Sequence, residues 1–437
     1  MQQSIPLSVH QVQLLEDRAR RIDSGLLEAI QQVSQRLGYR VYLVGGGPRD
    51  LFLSGRLGDL DLVVEGEGEE FARALAEVLG GTARMHSRFG TAELKGLGER
   101  LDIATARTER YDSPAALPEV EPGPLTEDLL RRDFSVNTLA IELGDGPPYE
   151  VLDSHNALED MKDGRLRVLH DGSFADDPTR ILRGIRFESR LGLRLDDAAE
   201  RMARAAVADG AFDALSGDRL RREVFRLLDP VGSIESRLGR LRELGLLSIL
   251  GPGLRLSGED LVWIGRAATE LEGLPPDAAE VEGWRLVFPV LYGSLDQRAG
   301  EETADRLAIR PEDRDWLLGS RRDLDHAIEV LRRPSSKPHE IDRVLRPLRR
   351  EQIALLLALG DPPVVQWTRR WLQELRSLSL TLTGQELVDA GCAPGPSIGR
   401  ALVATREARL DGSITAEGEL QFALNELKSE SREAGRE

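Results

Sequence analysis

Three aspartates in the first quarter of the chain have the types and spacing that metal chemistry requires. Asp59 and Asp61 stand two positions apart at the start of the apolar run 62–64, which is typical of a β-strand. Because side chains at i and i+2 of a strand point to the same face, both carboxylates can converge on one cation. Asp102, at the start of another strand-like run, could complete a set of three. Carboxylate oxygens suit Mg²⁺, and two such ions could activate an attacking hydroxyl and stabilise a leaving pyrophosphate.

A glycine-rich turn precedes these carboxylates. Residues 45–50, with the sequence Gly-Gly-Gly-Pro-Arg-Asp, follow a β-like run and open a helical one. Glycines allow backbone N–H groups to approach a phosphate, and the dipole at a helix N-terminus favours its negative charge. The spacing matches neither a Walker A loop nor GxGxxG, and such a turn by itself is more often only a tight turn. Its position before Asp59 and Asp61 favours a metal and phosphate site.

Two adjacent arginines and an aspartate form a second group. Arg131 and Arg132 can clamp triphosphate oxygens through bidentate hydrogen bonds, and Asp133 offers an acceptor for a ribose hydroxyl. A solvated helix start with a surface ion pair explains these residues equally well when they are considered alone.

A third group lies on one face of a predicted helix. Asp177 can cap the helix that Pro178 opens, and the i, i+3 spacing places Arg180 on the same face. An acceptor and a forked donor on a rigid face can hydrogen-bond the Watson–Crick edge of a base. Arg183 and Arg186 continue this row and suit phosphates or a contact that holds Asp177. The simpler alternative is an N-cap followed by an arginine-rich amphipathic helix, but the regular spacing of the arginines favours function.

The elements that must position these residues are alternating strands and helices, followed by helices alone. Before residue 170, the apolar spacing predicts helical residues at 14–37 and Gly68–Leu79, and strands at Arg40–Val44, 60–64, Thr82–His86, Thr91–Lys95 and Leu101–Thr105. Residues 107–124 contain four prolines and are predicted to form a mobile or irregular loop. After residue 177, helical segments are predicted at 178–191, 196–209, 217–228, 234–250, 351–359 and 381–404. The sequence therefore predicts an α/β head on a helical stalk.

Two features of the C-terminal half are candidate RNA contacts. Gly395 and Gly399 lie at the start of a predicted helix, whose exposed backbone N–H groups could bind an RNA phosphate. Residues 331–350 hold seven Lys or Arg residues against two acidic ones, and Arg346 and Arg349 are the candidate contacts there. A plain helix connection and a solvated basic face are the alternatives.

Composition and charge limit the possible classes of protein. The length of 437 residues corresponds to about three domains, and the 41% hydrophobic and 30% charged content excludes a mainly disordered chain. One cysteine, Cys392, excludes a disulfide framework and a multi-cysteine zinc module. The net charge of −17 argues against a uniformly basic nucleic-acid surface, although a local positive groove would suffice for a polyanion. Without an apolar run of about 18 residues or a secretory signal in residues 1–12, we expect a cytoplasmic protein that has no membrane partner.

Five segments, in this order, resemble the motifs of the class II tRNA nucleotidyltransferase and bacterial poly(A) polymerase family, a branch of the polymerase-β-like nucleotidyltransferases. They are residues 45–50 with 59–61 (GGGPRD and DLD, similar to GGxVRD and DxD), 131–137 (RRDFSVN, similar to RRDFxxN), 176–180 (DDPTR, similar to EDxxR), 219–223 (RLRRE) and 391–399 (GCAPGPSIG). Pro48 replaces the usual valine, and Asp176 replaces the usual glutamate. The resemblance covers most of the chain and depends on the ordered set of motifs.

The resemblance implies an α/β polymerase-β-like nucleotidyltransferase head, which is a mixed sheet with helices, followed by an all-α neck, body and tail. The implied domains are a head with an N-terminal helix at 1–170, a neck that recognises the nucleotide base at 171–238, a body at 239–375 and a tail that contacts tRNA at 376–437.

The resemblance also implies an enzyme that adds C and/or A nucleotides to the tRNA 3′ end from CTP or ATP, with Mg²⁺ as cofactor and pyrophosphate as leaving group. The implied catalytic residues are Asp59, Asp61 and Asp102, of which Asp59 and Asp61 bind the metal. The implied nucleotide-binding residues are Gly46, Arg49, Arg132, Asp133, Asn137, Asp177, Arg180, Arg183 and Arg186. An A-only or CC-only enzyme, a poly(A) polymerase and a non-catalytic RNA-binding protein are the alternatives.

Overall fold

The structure, a computed structural model, describes residues 3–86, 90–110, 119–229, 232–275 and 282–434. The chain divides into two compact units, Met1–Leu227 with Arg240–Ile249 and Leu228–Gly239 with Leu250–Glu437. The finer domain boundaries at residues 170, 238 and 375 stay predictions.

The strands belong to the first unit. They are β1 (Gln3–Pro6), β2 (Arg40–Val44), β3 (Asp61–Glu65), β4 (Thr82–His86), β5 (Thr91–Lys95), β6 (Leu101–Thr105), β7 (Arg107–Arg110), β8 (Glu119–Pro122), β9 (Ala140–Glu142), β10 (Glu150–Asp153), β11 (Arg165–Leu166) and β12 (Arg194–Leu195). The helices of this unit are α1 (Val9–Ile22), α2 (Leu26–Leu37), α3 (Gly46–Ser54), α4 (Gly68–Leu79), α5 (Leu125–Leu130), α6 (Ala157–Lys162), α7 (Ser173–Asp176), α8 (Thr179–Leu191), α9 (Asp197–Ala208) and α10 (Gly217–Leu227).

The rest of the described chain is helical. Its α-helices are α11 (Ile234–Glu243), α12 (Leu247–Leu250), α13 (Gly258–Gly273), α14 (Gly283–Leu291), α15 (Gln297–Arg306), α16 (Pro311–Arg332), α17 (Pro338–Leu345), α18 (Arg350–Ala358), α19 (Pro362–Arg370), α20 (Gly384–Asp389), α21 (Pro396–Leu410) and α22 (Glu419–Ala434). The mixed α/β region followed by helices confirms the predicted fold class.

Eight strands form one mixed sheet in the order β1-β10-β9-β2-β3-β6-β5-β4. Of the neighbouring strand pairs that the described residues form in this sheet, β3 and β6 are parallel and the others are antiparallel. The central strand β3 is buried over Leu62, Val63 and Val64, since both faces of the sheet are covered. On one face Val63 packs with Tyr42 and Leu129, and α4 packs against β3 to β6. The buried sheet is a rigid base for side chains at its edge.

Most of the predicted elements of the first unit have the predicted bounds. Strands β2, β4, β5 and β6 and helix α4 begin and end where the pattern places them, and β3 is shifted by one residue. The predicted helical segment 14–37 is two helices, because the Asp23 carboxylate accepts a hydrogen bond from Gly25 N at 2.7 Å and turns the chain. The segment 234–250 is interrupted at Gly245 and the segment 381–404 at Gly391, both with positive φ.

The prediction of an irregular loop at 107–124 is wrong at both ends. β7 and β8 form an antiparallel pair in which Arg107 lies opposite Pro122. A proline is compatible with the end of an edge strand, where no ladder hydrogen bond is needed from its nitrogen. The remainder of that prediction, residues 111–118, lies outside the described residues.

Candidate active site

Three strand ends meet at one edge of the sheet and bring the glycine turn to the carboxylates. β2 runs antiparallel to β3 with Leu43 opposite Leu62, so the turn that follows β2 lies where β3 begins at Asp61. β6 runs parallel to β3 and places Asp102 directly beside Asp61. The predicted convergence of Asp61 and Asp102 therefore arises from strand register, which sequence spacing alone does not contain.

The carboxylates at this edge carry negative charge that the protein does not fully compensate. Burial raises the pKa of Asp61, and the charges of Asp102 and Asp59 raise it further, while Arg132 and Arg100 offset the rise only in part. A cation placed between such groups would relieve the repulsion, so the donor set suits a hard divalent ion.

The two other carboxylates differ from Asp61 in their exposure and in their partners. The Asp59 side chain is 97% exposed and lies 3.9 Å from Arg18 Nη2. Both oxygens of Asp102 are bound by Arg100, at 2.9 Å each. Among the described residues, no group of three or more His, Cys, Asp or Glu side chains is arranged to hold a metal ion.

Glycine is required in the turn because other groups approach it closely. Gly45 has φ 74°, and a Cβ there would stand 3.2 Å from Arg132 Nη1 and 4.0 Å from an Asp61 oxygen. A Cβ on Gly47 would stand 3.1 Å from the carbonyl oxygen of Asp59. No side chain caps α3, the helix that begins at Gly46. The turn thus leaves its backbone N–H groups and the Arg132 guanidinium close together, and both suit an anion.

Arg131 and Arg132 are anchored by one buried carboxylate. Asp128 accepts hydrogen bonds from Arg131 at 2.6 Å and from Arg132 at 2.8 Å. Burial alone would raise the pKa of Asp128, but the two arginines hold it below its ordinary value. Arg131 is also 2.8 Å from Glu109, a residue of β7. Arg132 Nε is buried and has no hydrogen-bond partner in the described part of the chain.

Asp133 is a fully engaged buried carboxylate. It accepts hydrogen bonds from Phe134 N at 2.9 Å, Asn137 Nδ2 at 2.7 Å and Arg183 Nε at 2.8 Å. Burial alone would raise its pKa, but Arg183, Asn137 and Phe134 N together lower it. The predicted ribose acceptor is therefore also a structural link between the segment after α5 and helix α8.

Arg49 lies inside the site with all three of its nitrogens bonded. It donates to Asn137 Oδ1 at 2.6 Å and to Asp50 through Nε at 2.8 Å and Nη2 at 2.7 Å. Its guanidinium lies 5.3 Å from the ring centre of Phe187, and the residue is 3% exposed. Arg49 therefore supports the glycine turn from within and joins it to α8.

The side chains of Asp177 and Arg180 are bonded to other residues and not to each other. Arg180 donates to Ser173 Oγ and to the backbone oxygen of Arg131, both at 2.8 Å. Asp177 accepts from Thr179 Oγ1 at 2.7 Å and from Arg219 Nη2 at 3.1 Å. The i, i+3 spacing brings both side chains to the cavity, but tertiary contacts decide which atoms they present.

Helix α8 presents a row of arginines, of which Arg183, Arg186 and Arg190 are each paired with a carboxylate from outside the helix. Arg186 lies 3.4 Å from Glu223 of α10, and Arg190 lies 2.9 Å from Asp50 of α3. Burial lowers the pKa of Arg186, and this is partly offset by Glu223. The row that was predicted for three arginines thus continues one further turn.

These groups line one cavity of about 680 Å³ in the first unit. Its lining contains eight arginines and six carboxylates, so it is locally positive in a chain with net charge −17. Eleven predicted residues line it: Gly46, Arg49, Asp59, Asp61, Arg132, Asp133, Asn137, Asp177, Arg180, Arg183 and Arg186. Asp102 lies beside Asp61 but is not among the lining residues.

Several residues that line the cavity are not among those predicted from the sequence. Arg190 follows Arg186 by four positions, so helical spacing could have identified it. Glu109 stands in the segment predicted as a loop, and nothing in the local pattern distinguishes it.

The candidate RNA contacts lie in the second unit and do not form one group. Gly399 lines a groove of about 550 Å³ with Arg343 and Arg400 on α17 and α21, and Gly395 is the N-cap of α21 without a side-chain cap. Arg346 is bound to Asp342 at 3.0 Å and lines two neighbouring cavities.

Arg349 stands apart from the other candidate RNA contacts. Its guanidinium lies 5.0 Å from the ring centre of Trp316. It lines none of the cavities that Arg346 and Gly399 line.

None of the described helices combines the length and the apolar character that a membrane crossing requires.

Comparison with known proteins identifies relatives along most of the chain. Residues 41–167 match the family described as the Poly A polymerase head domain. The A-adding tRNA nucleotidyltransferase of Halalkalibacterium halodurans is 30% identical over 91% of this chain and 91% of its own length. The A-adding tRNA nucleotidyltransferase of Geobacter sulfurreducens is 32% identical over 94% of this chain, but the match spans only 48% of that longer relative. The CC-adding tRNA nucleotidyltransferase of Deinococcus radiodurans is 30% identical over 90% of this chain and 92% of its own length.

Two solved structures with a similar fold are of CCA-adding enzymes. An apo form of a CCA-adding enzyme has a TM-score of 0.82 and 30% identity, with 98% of this chain and 100% of that chain covered. The Thermotoga maritima CCA-adding enzyme complexed with tRNA-CCA has a TM-score of 0.78 and 27% identity, with 98% and 100% covered. The sequence and the fold of this chain are thus both similar to those of one group of enzymes.

Proposed function

Because the chain belongs to the tRNA nucleotidyltransferase family, we propose that it adds C and/or A nucleotides to the 3′ end of tRNA from CTP or ATP, with release of pyrophosphate. The observation that carries this proposal is that Asp59, Asp61 and eight arginines line the same cavity. A site of this kind offers carboxylates for a metal and cations for a triphosphate within one enclosure.

The carboxylates would hold the catalytic metal. Members of this family generally depend on a divalent metal ion, and Mg²⁺ is the ion that we propose here. Asp59 and Asp61 would bind it, with Asp102 as the third carboxylate, and the raised pKa of Asp61 supports a cation at this edge. When bound, the ion would supply Lewis-acid stabilisation of the charge that develops on the phosphoryl oxygens and on the leaving group.

The other predicted residues would bind and orient the nucleotide. The backbone of Gly46 and the guanidinium of Arg132 would bind phosphate oxygens, and Arg49 would keep the glycine turn against them. Asp133 and Asn137, which are hydrogen-bonded to each other, would bind the ribose of the nucleotide.

The face of α8 would act on the base and on the remaining phosphate oxygens. Asp177 and Arg180 would hydrogen-bond the base edge, which requires each to exchange a present partner for the base. Arg183 and Arg186 would balance the triphosphate charge, and the 3′ hydroxyl of the RNA would attack the α-phosphate in line.

The four-part division is also a proposal. We assign residues 1–170 to the head, 171–238 to the neck, 239–375 to the body and 376–437 to a tail that contacts tRNA. Gly395, Gly399, Arg346 and Arg349 are the proposed RNA contacts, and the groove beside Gly399 supports the first two. A cytoplasmic location stays a prediction.

A-only addition is the second candidate function. It is favoured by the two A-adding relatives that match over more than nine-tenths of this chain. Addition of CC alone, poly(A) synthesis and RNA binding without catalysis are the further alternatives.

Product sequencing distinguishes these activities. The protein, Mg²⁺ and labelled CTP or ATP would be incubated with tRNA that ends before CCA, before the final A, or complete. Incorporation into either shortened tRNA is the expected result. Incorporation confined to the tRNA that lacks only the final A would identify an A-adding enzyme, and long homopolymers from ATP alone a poly(A) polymerase. Binding of tRNA without any incorporation would contradict the proposed activity.

A further inference from the structure

A cationic side chain lies in the acidic row at the edge of the sheet. Arg100 immediately precedes β6, and its Nε and Nη2 lie 2.9 Å from the two oxygens of Asp102. This is a bidentate pair between Asp102 of β6 and the residue two positions before it in the chain. Both oxygens of the proposed third carboxylate are therefore occupied by a guanidinium.

Strand register extends the acidic row to a third residue. Asp61 of β3 lies beside Asp102 of β6, and Asp102 lies opposite Glu93 of β5, so the three carboxylates share one face. Carboxylates on neighbouring strands destabilise each other unless cations compensate them. Glu93 is compensated by Lys95 at 3.3 Å and by Arg100 at 3.4 Å. Arg100 thus lies between two carboxylates and already contacts both.

We propose that Arg100 is a positioning residue that competes with the divalent metal ion for the carboxylate of Asp102. While Arg100 binds both oxygens, the charge of Asp102 is compensated, and Asp59 and Asp61 are the two carboxylates whose charge is left for a cation. A metal ion that recruits Asp102 must displace the guanidinium, which Glu93 can accept because it is within 3.4 Å. The inference rests on the proposed function, since it requires that these aspartates bind the metal.

The exchange is feasible because the pair is exposed and therefore weak. The side chain of Arg100 is 67% exposed and that of Asp102 is 40% exposed. Ion pairs with this exposure contribute little to stability, so a divalent cation can replace them. Removal of the competitor should tighten metal binding by about threefold to fivefold, as expected for a weak pair.

Direct titration with Mn²⁺ tests the proposal without nucleotide or turnover. The electron paramagnetic resonance signal of free Mn²⁺ would be followed as the wild-type protein, Arg100→Gln, Arg100→Lys and Lys95→Gln are titrated. We expect the dissociation constant to fall about threefold to fivefold in Arg100→Gln and less in Arg100→Lys, which keeps the charge but loses the fork. Lys95→Gln is the matched control, because it removes one charge from the same face without a contact to Asp102.

Variants of Asp102 separate competition at that carboxylate from a general change in charge. In the Asp102→Asn background, Arg100→Gln should no longer change the affinity for Mn²⁺. The proposal is overturned if Arg100→Gln binds Mn²⁺ no more tightly than wild type, if Lys95→Gln tightens binding equally, or if the effect persists with Asp102→Asn. If Asp61→Asn leaves Mn²⁺ binding by the wild-type protein unchanged, the proposed metal site is wrong, and this inference falls with it.

Discussion

The carboxylate edge of the sheet and the arginine face of α8 line the same cavity but differ in how far neighbouring protein charges neutralise them. At the edge, Asp61 lies beside Asp102 and near Asp59, and its pKa is raised by burial and by both neighbours. On α8, Arg183 and Arg190 are each paired with a carboxylate at 2.9 Å or less. One region has excess charge, whereas the other is already neutralised by the protein.

This difference indicates two modes of ligand recognition. The edge gains stability when a cation is added, because like charges are then separated by an opposite one. The arginine face is held in position by protein carboxylates before the nucleotide arrives. To bind phosphate it must exchange those carboxylates for phosphate oxygens, and it therefore gains little additional compensation of its positive charge. The sharpest comparison is between Asp61 and Asp133, since the charge of Asp61 is only partly compensated and Asp133 accepts three hydrogen bonds.

The largest expected effect is loss of catalysis at the edge. Asp61→Asn should lower kcat for CTP or ATP incorporation by at least about 10³-fold, because the metal contributes several kcal/mol to the transition state. Quench-flow assays with labelled nucleotide would measure this, and filter binding should show that tRNA is still bound. The matched control is Asp145→Asn, the same change at an exposed residue outside the cavity. Turnover near the wild-type value would exclude Asp61 as a metal ligand.

The second effect is on stability at the compensated carboxylate. Asp133→Asn should lower the free energy of unfolding by about 2 kcal/mol, because the buried carboxylate loses its charge-assisted hydrogen bond from Arg183, whose 42% exposed side chain stays partly solvated. Urea unfolding at neutral pH would measure the loss. The folded-state pKa of Asp133 is lowered, so its contribution is present above the ordinary aspartate pKa of about 3.9 and is lost as pH falls through the folded value. The difference in stability between the two proteins should therefore begin to shrink as pH falls below about 3.9, and a difference that stays constant at lower pH would contradict the assignment.

The third effect is on base selection at the N-terminal end of α8. Asp177→Asn should change the ratio of kcat/KM for ATP and CTP by about tenfold, because one acceptor on the base edge becomes a donor. Asp171→Asn, at an exposed residue outside the cavity lining, is the control. A ratio that stays constant while both values fall would indicate that Asp177 acts only through Arg219 and Thr179.

The smallest effect has the opposite sign to that at Asp133. In the presence of EDTA, Asp61→Asn should be more stable than wild type by about 0.5–1 kcal/mol, because it removes one of the adjacent like charges. A raised folded-state pKa means that the charged form destabilises the fold at neutral pH. This destabilisation disappears when pH falls below about 3.9, where the aspartate is protonated in both states. Thermal unfolding would measure a rise in Tm of about 2 °C, and a fall would show that Asp61 is compensated after all.

Several parts of the fold and the site were predictable because they depend on local patterns. The strands of the head and helix α4 follow from apolar periodicity and from the glycines that end them. The regular spacing on α8 correctly placed Arg180, Arg183 and Arg186 on the cavity side.

Other parts required contacts between distant segments. The resemblance implies that Arg49 binds the nucleotide, but the nitrogens of its side chain are bonded to Asp50 and Asn137. Arg180 was paired with Asp177 by spacing, yet Ser173 and the backbone of Arg131 bind it. Helical spacing places a residue on a face, but the partners of a long side chain depend on what the rest of the chain brings to that face.

The sequence by itself determined which chemical groups are available and on which face of each element they lie, since these follow from residue type and from periods of 2 and 3.6. Only the tertiary structure decided which charges are compensated. Strand register placed Asp102 and Glu93 in one row with Asp61, and the packing of α8 gave Asp133 its arginine. The reason is that electrostatic energy depends on distances and burial, and both are set by segments far apart in the chain.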